Sequence, residues 1–140
     1  MTDTLYFSKE HASEMIEHCL QGRPNEACGV VALDGGRVQR VVPMTNAAQS
    51  PVRYVLDSRE QIVCVQLERD GFDWAVFHSH TRTEAYPSPT DVREAREPRP
   101  YIIVSLADSK PVVRAFRIVK DDYLNDREGR IVEVPVHVEG

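Results

Sequence analysis

The stretch Asp73-Trp74-Ala75-Val76-Phe77-His78-Ser79-His80 decides how this chain is read. From Asp73 to Ser79 it carries no charge after its first residue, which is the pattern of a strand buried in a sheet. It ends in two histidines two residues apart, and side chains at that spacing leave the same face of a strand. A buried face seldom holds two adjacent imidazoles unless something satisfies them, and one metal ion can do so. Alone, H-x-H remains a weak signal.

Outward from this strand, elements of both kinds interleave. Residues 4–7 form a short apolar-aromatic run that reads as a first strand, and Ser8 opens a helical pattern. Ala12, Met15, Ile16, Cys19 and Leu20 make one apolar stripe, stopped by Gly22. After the connector Arg23-Pro24-Asn25, the apolar run Ala27 to Leu33 reads as a second buried strand. The turn Asp34-Gly35-Gly36 and an alternating strand from Arg37 to Val42 follow. A loop with Pro43, Asn46 and Pro51 leads to an expected short strand at Arg53 to Leu56. Ser58 with Gln61 signals a capping box, with helix to about Asp70 and a stop at Gly71. Beyond the histidines, Ser88-Pro89 opens a short helix ending near Pro98. Strands are expected at Tyr101 to Ala107, Val112 to Val119 and, after a polar loop at 121–130, Ile131 to Val138. The fold class is therefore α/β (α+β), one sheet-centred domain over residues 1–140.

Composition agrees with a single globular domain of 140 residues, 41% hydrophobic and 28% charged. A net charge of −5 argues against nucleic acid or an anionic membrane surface as the main partner. No apolar run reaches the roughly 18 residues of a membrane span, and the opening MTDTLYFSKEH has neither the basic nor the apolar region of a signal peptide. Three cysteines (Cys19, Cys28, Cys64), odd in number and without C-x-x-C spacing, argue against a disulfide framework or a thiolate metal site. The expectation is a reduced cytoplasmic domain.

The chemistry concentrates after the histidine pair. Ser88 follows His80 by eight residues and Asp91 lies three further on, giving H-S-H-x(7)-S-x(2)-D. With Ser88 as N-cap, Asp91 falls at N3. A plain helix cap explains both residues, but not their arrival one loop after the pair. His78, His80 and Asp91 together make a good Zn²⁺ ligand set, and three protein ligands leave the fourth tetrahedral position open, as in catalytic sites. A hydrolase built this way needs a base. Glu26, at the threshold of the apolar strand, would have its pKa raised by burial, although an exposed loop carboxylate is the simpler reading of these residues alone. Glu84, in the loop between the histidines and Ser88, is a rival base and a candidate substrate contact. His11 and His18 read as partly exposed helix residues, His137 as an unpartnered strand residue, and Cys28 as a small buried apolar one.

Glu26, His78-Ser79-His80, Ser88 and Asp91 together match the signature of the JAMM (MPN+) metallopeptidases, which the chain resembles from about Glu14 to Val138. Flanking residues (Asn25 to Val30, Pro43 to Asn46, Ser50-Pro51, Tyr54, Asp57-Ser58 and Thr83 to Ser88) resemble its actinobacterial Mec branch, which acts on the sulfur carrier CysO bearing a C-terminal cysteine. The resemblance implies the MPN fold, a curved mixed sheet flanked by helices with the metal site at a strand end. It implies one Zn²⁺ per chain held by His78, His80 and Asp91, with Glu26 as general acid–base and Ser88 as oxyanion stabiliser. The implied partner is a ubiquitin-like (CysO/ThiS-like) sulfur carrier whose C-terminal Gly–cysteine amide is cut to release L-cysteine. Asn46, Arg53, Tyr54 and Glu84 are the candidates for contacting its tail or the leaving cysteine; ordering loops is the alternative. Trimming of another carrier or peptide, and a non-catalytic MPN scaffold, are the alternative functions, and the resemblance leaves room for a homodimer.

Overall fold

Alternation within the two most apolar strands sorts the core into two layers, one on each face of a sheet. The structure, a computed structural model, describes residues 4–139. Residues 1–3 and 140, the ends of the expected 1–140 domain, lie outside the described residues. In chain order the elements are β1 (Leu5–Ser8), α1 (Lys9–Gly22), β2 (Cys28–Asp34), β3 (Arg37–Met44), α2 (Ile62–Arg69), β4 (Asp73–His80), α3 (Pro89–Glu94), β5 (Tyr101–Ser105), β6 (Val112–Val119), β7 (Arg130–Val134) and β8 (Val136–Glu139). All the strands join one mixed sheet in the order β7-β6-β5-β4-β2-β3-β1-β8. β4 is paired on both sides, antiparallel to β2 and parallel to β5, and core packs on both of its faces, Ala75 and Phe77 on one and Trp74 and Val76 on the other, which is why its sequence is apolar throughout.

One layer packs under α1. Ala12, Met15 and Cys19 of its stripe meet Val31, Ala75, Phe77, Ile102 and Val104, and the Ser8 hydroxyl caps the helix by accepting the His11 amide at 3.0 Å. The other layer lies under α2 and α3, where Cys64, Leu67 and Val92 meet Val30, Ala32, Trp74, Val76 and Tyr101. The alternation that sends Trp74 and Val76 to this second layer sends His78 and His80 to it as well.

Four expectations are corrected. The segment Arg53 to Leu56 is not a strand; it makes only an isolated bridge, Asn46 to Leu56, because the Asn46 side chain takes the Arg53 carbonyl and the Val55 amide that a ladder would use. The capping box at Ser58 does not form. The Asp57 carboxylate, one residue earlier, accepts the Arg59 and Glu60 amides at 2.9 and 3.2 Å, and regular helix starts only at Ile62. α3 ends at Glu94, with Ala95 extended, rather than near Pro98. The final strand is two. The chain breaks at Pro135, so that β7 closes one edge of the sheet beside β6 while β8 closes the other beside β1. A single proline separates the two edges, and its carbonyl accepts the Leu5 amide at 2.9 Å, so the sheet has to curl until its edges nearly meet. No helix among the described residues is long and apolar enough to cross a membrane.

The curl brings β2, β3 and β4 close at Gly29. A Cβ there would stand 2.4 Å from the Val42 carbonyl oxygen and 2.5 Å from the Phe77 ring. Gly29→Ala is expected to destabilise the protein by about 3 kcal/mol through overpacking, read as a lowered urea midpoint with an unchanged m-value.

Candidate functional site

The site is built at the end of the sheet where β4 finishes and β2 begins. His78 and His80 are buried on the α2/α3 side, and Ser79 between them points to the opposite face. Its hydroxyl accepts the Ala27 amide at 2.8 Å, and its own amide donates to the Ala27 carbonyl at 2.9 Å. This double tie fixes the entry of β2, and hence Glu26, against the histidine-bearing end of β4.

α3 supplies the third group. The Ser88 hydroxyl accepts the Asp91 amide at 3.0 Å, and Asp91 Oδ2 accepts the Ser88 amide at 2.9 Å, a complete capping box. The same Oδ2 lies 2.9 Å from His80 Nε2 and 3.3 Å from His78 Nε2, and the two Nε2 atoms are 3.2 Å apart. His80 Nδ1 is 2.8 Å from the Glu84 carbonyl, which can only accept, so Nδ1 carries a hydrogen and Nε2 is the nitrogen turned to Asp91. Two ring nitrogens and a carboxylate oxygen thus converge on one point. A proton can satisfy only part of this set, whereas a metal ion satisfies all of it, and these three residues form a metal-compatible cluster.

Electrostatics follow from this crowding. Burial alone would raise the Asp91 carboxyl, but His78, His80 and the Ser88 amide hold it well below the usual carboxylate range. Burial opposes the charge on His80, yet its bonds to Asp91 and the Glu84 carbonyl raise its pKa. Glu26 is only 5% exposed, and its Oε1 has no hydrogen-bond partner. Burial first, then the negative charge of Asp91, push its carboxyl up to about 8, against a smaller opposite pull from His80.

The remaining candidates differ in what they touch. The Ser88 hydroxyl accepts the Asp91 amide, which leaves its own hydrogen for another acceptor. Asn46 donates to the Glu26 carbonyl and orders the loop around it. Arg53 grips Glu94 of α3 through bonds of 2.9 and 2.8 Å. Tyr54 lies flat against His78. Together with Leu56, Trp74 and Tyr101, Arg53 and Tyr54 line a cleft of about 270 Å³ that reaches Asp91. What Glu84 brings to the metal cluster is its main-chain carbonyl, while its side chain is exposed. Cys28 is buried with its thiol pushed up to about 12, chiefly by burial. His18 lies 3.1 Å from the Cys28 carbonyl and His137 sits edge-on to Tyr6, both away from the cluster.

Two contributors escape a reading by residue type. Ser79 holds β2, and its signal was a polar residue facing inward on a strand buried on both faces. Lys120 is buried and gives all three ammonium hydrogens to main-chain carbonyls: Arg93 at 2.8 Å, Ala95 at 3.1 Å and Asn125 at 3.3 Å. Two of these belong to the C-terminal end of α3, the helix that carries Asp91. A single lysine at the end of a strand gives no sequence signal for that role.

Comparison with known proteins bears on the same residues. Positions 8–119 match the family of prokaryotic homologs of the JAB domain. The chain is 43% identical over 130 residues to a CysO-cysteine peptidase of Mycobacterium tuberculosis, covering 89% of this chain and 84% of the relative. It is 38% identical over 103 residues to a probable TtuB-protein conjugate cleaving protease of Thermus thermophilus, covering 71% and 68%. A solved structure from Desulfitobacterium hafniense superposes with a TM-score of 0.80 at 36% identity, covering 96% of this chain and 92% of that one. A sheet ending in H-S-H, a capped helix delivering Asp91 and matches of this extent have one common reading: the chain belongs to the prokaryotic JAB-domain (JAMM) family and is a hydrolase acting on peptide bonds.

Proposed function

We propose that this protein is a zinc-dependent peptidase that hydrolyses the amide joining the C-terminal Gly of a ubiquitin-like sulfur carrier to an attached L-cysteine, releasing cysteine. The observation that carries the chemistry is a buried, unpartnered carboxyl at Glu26 beside the converging atoms of His78, His80 and Asp91. Two nitrogens and one oxygen from three side chains suit a catalytic zinc ion with an open position. Bound there, zinc supplies Lewis acidity at the scissile carbonyl and acidifies water toward neutrality.

The chain's own groups do the rest. Glu26 takes a proton from the attacking water at Oε1, the position left without a partner. The Ser88 hydroxyl donates its free hydrogen to the oxyanion that develops as the new C–O bond forms. Glu26 then delivers its proton to the departing amine nitrogen as the C–N bond breaks, leaving a carboxyl group on the carrier's terminal Gly that gives its remaining proton to the released amine. A pKa of about 8 suits a group that must both hold and release a proton near neutral pH. The substrate class rests on the relatives named for CysO–cysteine and TtuB–protein conjugates. The cleft beside Asp91 takes the extended tail, and the buried free thiols fit a reducing cytoplasm.

Mass spectrometry of a carrier–cysteine adduct incubated with the zinc-loaded protein is expected to show loss of one cysteine residue, abolished by chelator. Cleavage of an extended-tail carrier alone would select the broader trimming activity. Glu26→Gln should retain the metal but lose turnover by at least about a hundredfold; normal turnover in that variant would remove Glu26 from the proton path. The same substitution has a second readout in the metal-free protein. Because the folded Glu26 pKa of about 8 lies above its ordinary 4.5, the stability it contributes is complete below pH 4.5 and is lost as pH rises through 8. His80 is shifted in the same sense, so urea midpoints across this window should fall less steeply in Glu26→Gln than in wild type, without becoming flat.

A further inference from the structure

His78 and His80 are oriented differently. The second ring nitrogen of a metal-binding histidine ordinarily donates to a partner that fixes the ring. His80 has such a partner in the Glu84 carbonyl, whereas His78 Nδ1 is buried with no hydrogen-bond partner. What His78 has is a face. The Tyr54 ring lies against it with centroids 4.2 Å apart and planes 19° from parallel, a stacked arrangement.

Tyr54 stands in an irregular loop, gripped on both sides by one side-chain amide beside a main-chain bond from the Ala47 amide to the Val55 carbonyl at 2.8 Å. Asn46 Nδ2 donates to the Arg53 carbonyl at 3.0 Å, and Asn46 Oδ1 accepts the Val55 amide at 3.0 Å, so the two bonds grip the residues on either side of Tyr54. The second Nδ2 hydrogen goes to the Glu26 carbonyl at 2.9 Å, and Oδ1 also accepts the Ala48 amide at 3.0 Å. Both hydrogens and both lone pairs of the amide are therefore engaged within the chain, leaving no capacity for a substrate. The Arg53 guanidinium meanwhile holds Glu94, three residues after Asp91 on α3.

We propose that Tyr54 is a positioning residue that fixes the His78 ring by stacking in place of a hydrogen bond, and that Asn46 locks Tyr54 and the Glu26 main chain into one unit. The loop from Asn46 to Leu56 then sets the geometry of the metal cluster and of the base together. This inference rests on the metal-dependent reading of the site and adds the residues that orient it.

The test uses zinc alone. Chelator competition on folded Tyr54→Leu is expected to show affinity lowered about tenfold or more, with a shifted cobalt(II) visible spectrum, while Tyr54→Phe, which keeps the ring, retains the wild-type affinity and spectrum. With a peptide substrate the Tyr54→Leu loss should fall on kcat; a mere substrate contact would raise KM and leave the zinc competition unmoved. Asn46→Asp, which removes the donors to the Glu26 and Arg53 carbonyls, carries the same expectation of weakened zinc binding and serves if Tyr54→Leu does not fold. Wild-type affinity and spectrum in the folded variants would overturn the positioning role alone. A wild-type protein that takes up no zinc would overturn it together with the metal-dependent reading.

Discussion

Three electron-pair donors held within 3.3 Å of one another, His78 Nε2, His80 Nε2 and Asp91 Oδ2, make an arrangement that no folded chain adopts without restraint. Each would be better solvated apart, and their closeness has to be imposed by the surrounding structure. β4 imposes part of it, since a strand paired on both sides cannot swing its two imidazoles away. The Glu84 carbonyl fixes one ring and the Tyr54 face lies against the other. α3 brings the carboxylate, although at six residues it is too short to stand by its own propensity. Its N-terminus is closed by the capping box. Its C-terminal end is held by Lys120, and the segment after it by the Tyr101 hydroxyl, which accepts the Arg96 and Glu97 amides at 3.1 Å.

The parts of this arrangement that follow strand or helix periodicity were legible in the sequence. The apolar run into H-S-H identified a central strand and placed both histidines on one face. Ser88-Pro89 with Asp91 identified a capped helix start. Less legible were features that depend on a side chain meeting distant main chain. Asn46 abolishes the expected strand at 53–56 by taking its backbone groups, a use that looks no different in sequence from any loop asparagine. Asp57, not Ser58, gathers the amides that follow, and it does so in a turn ahead of the helix, whose N-cap Gln61 makes no side-chain cap bond. The last strand has the composition of one element, yet Pro135, which cannot donate to a ladder, divides it between opposite edges of a curled sheet.

At Asp91, the helix cap and a place in the metal-compatible cluster are compatible. One oxygen, Oδ2, both accepts the Ser88 amide and faces the two histidines. The amide at the N-terminus of α3 helps keep this carboxylate ionised inside the protein. Ser88 is joined to the same network through the Asp91 amide, which aligns its hydroxyl while leaving the hydroxyl hydrogen free. The local signals that start the helix therefore also deliver the chemistry.

This coupling extends to Glu26. Its raised pKa has two sources, burial and the negative charge of Asp91, and they respond differently to a cation held by His78, His80 and Asp91. Burial is a property of the fold and persists. The repulsion from Asp91 is electrostatic, so a cation held by the cluster would offset it and lower the Glu26 pKa toward the range the proposed base requires. Without that offset, burial and Asp91 together keep its pKa raised to about 8. The fold thus links the protonation of Glu26 to the charge state of the cluster through Asp91, while Asn46 and the Ser79–Ala27 tie keep Glu26 within reach of that influence.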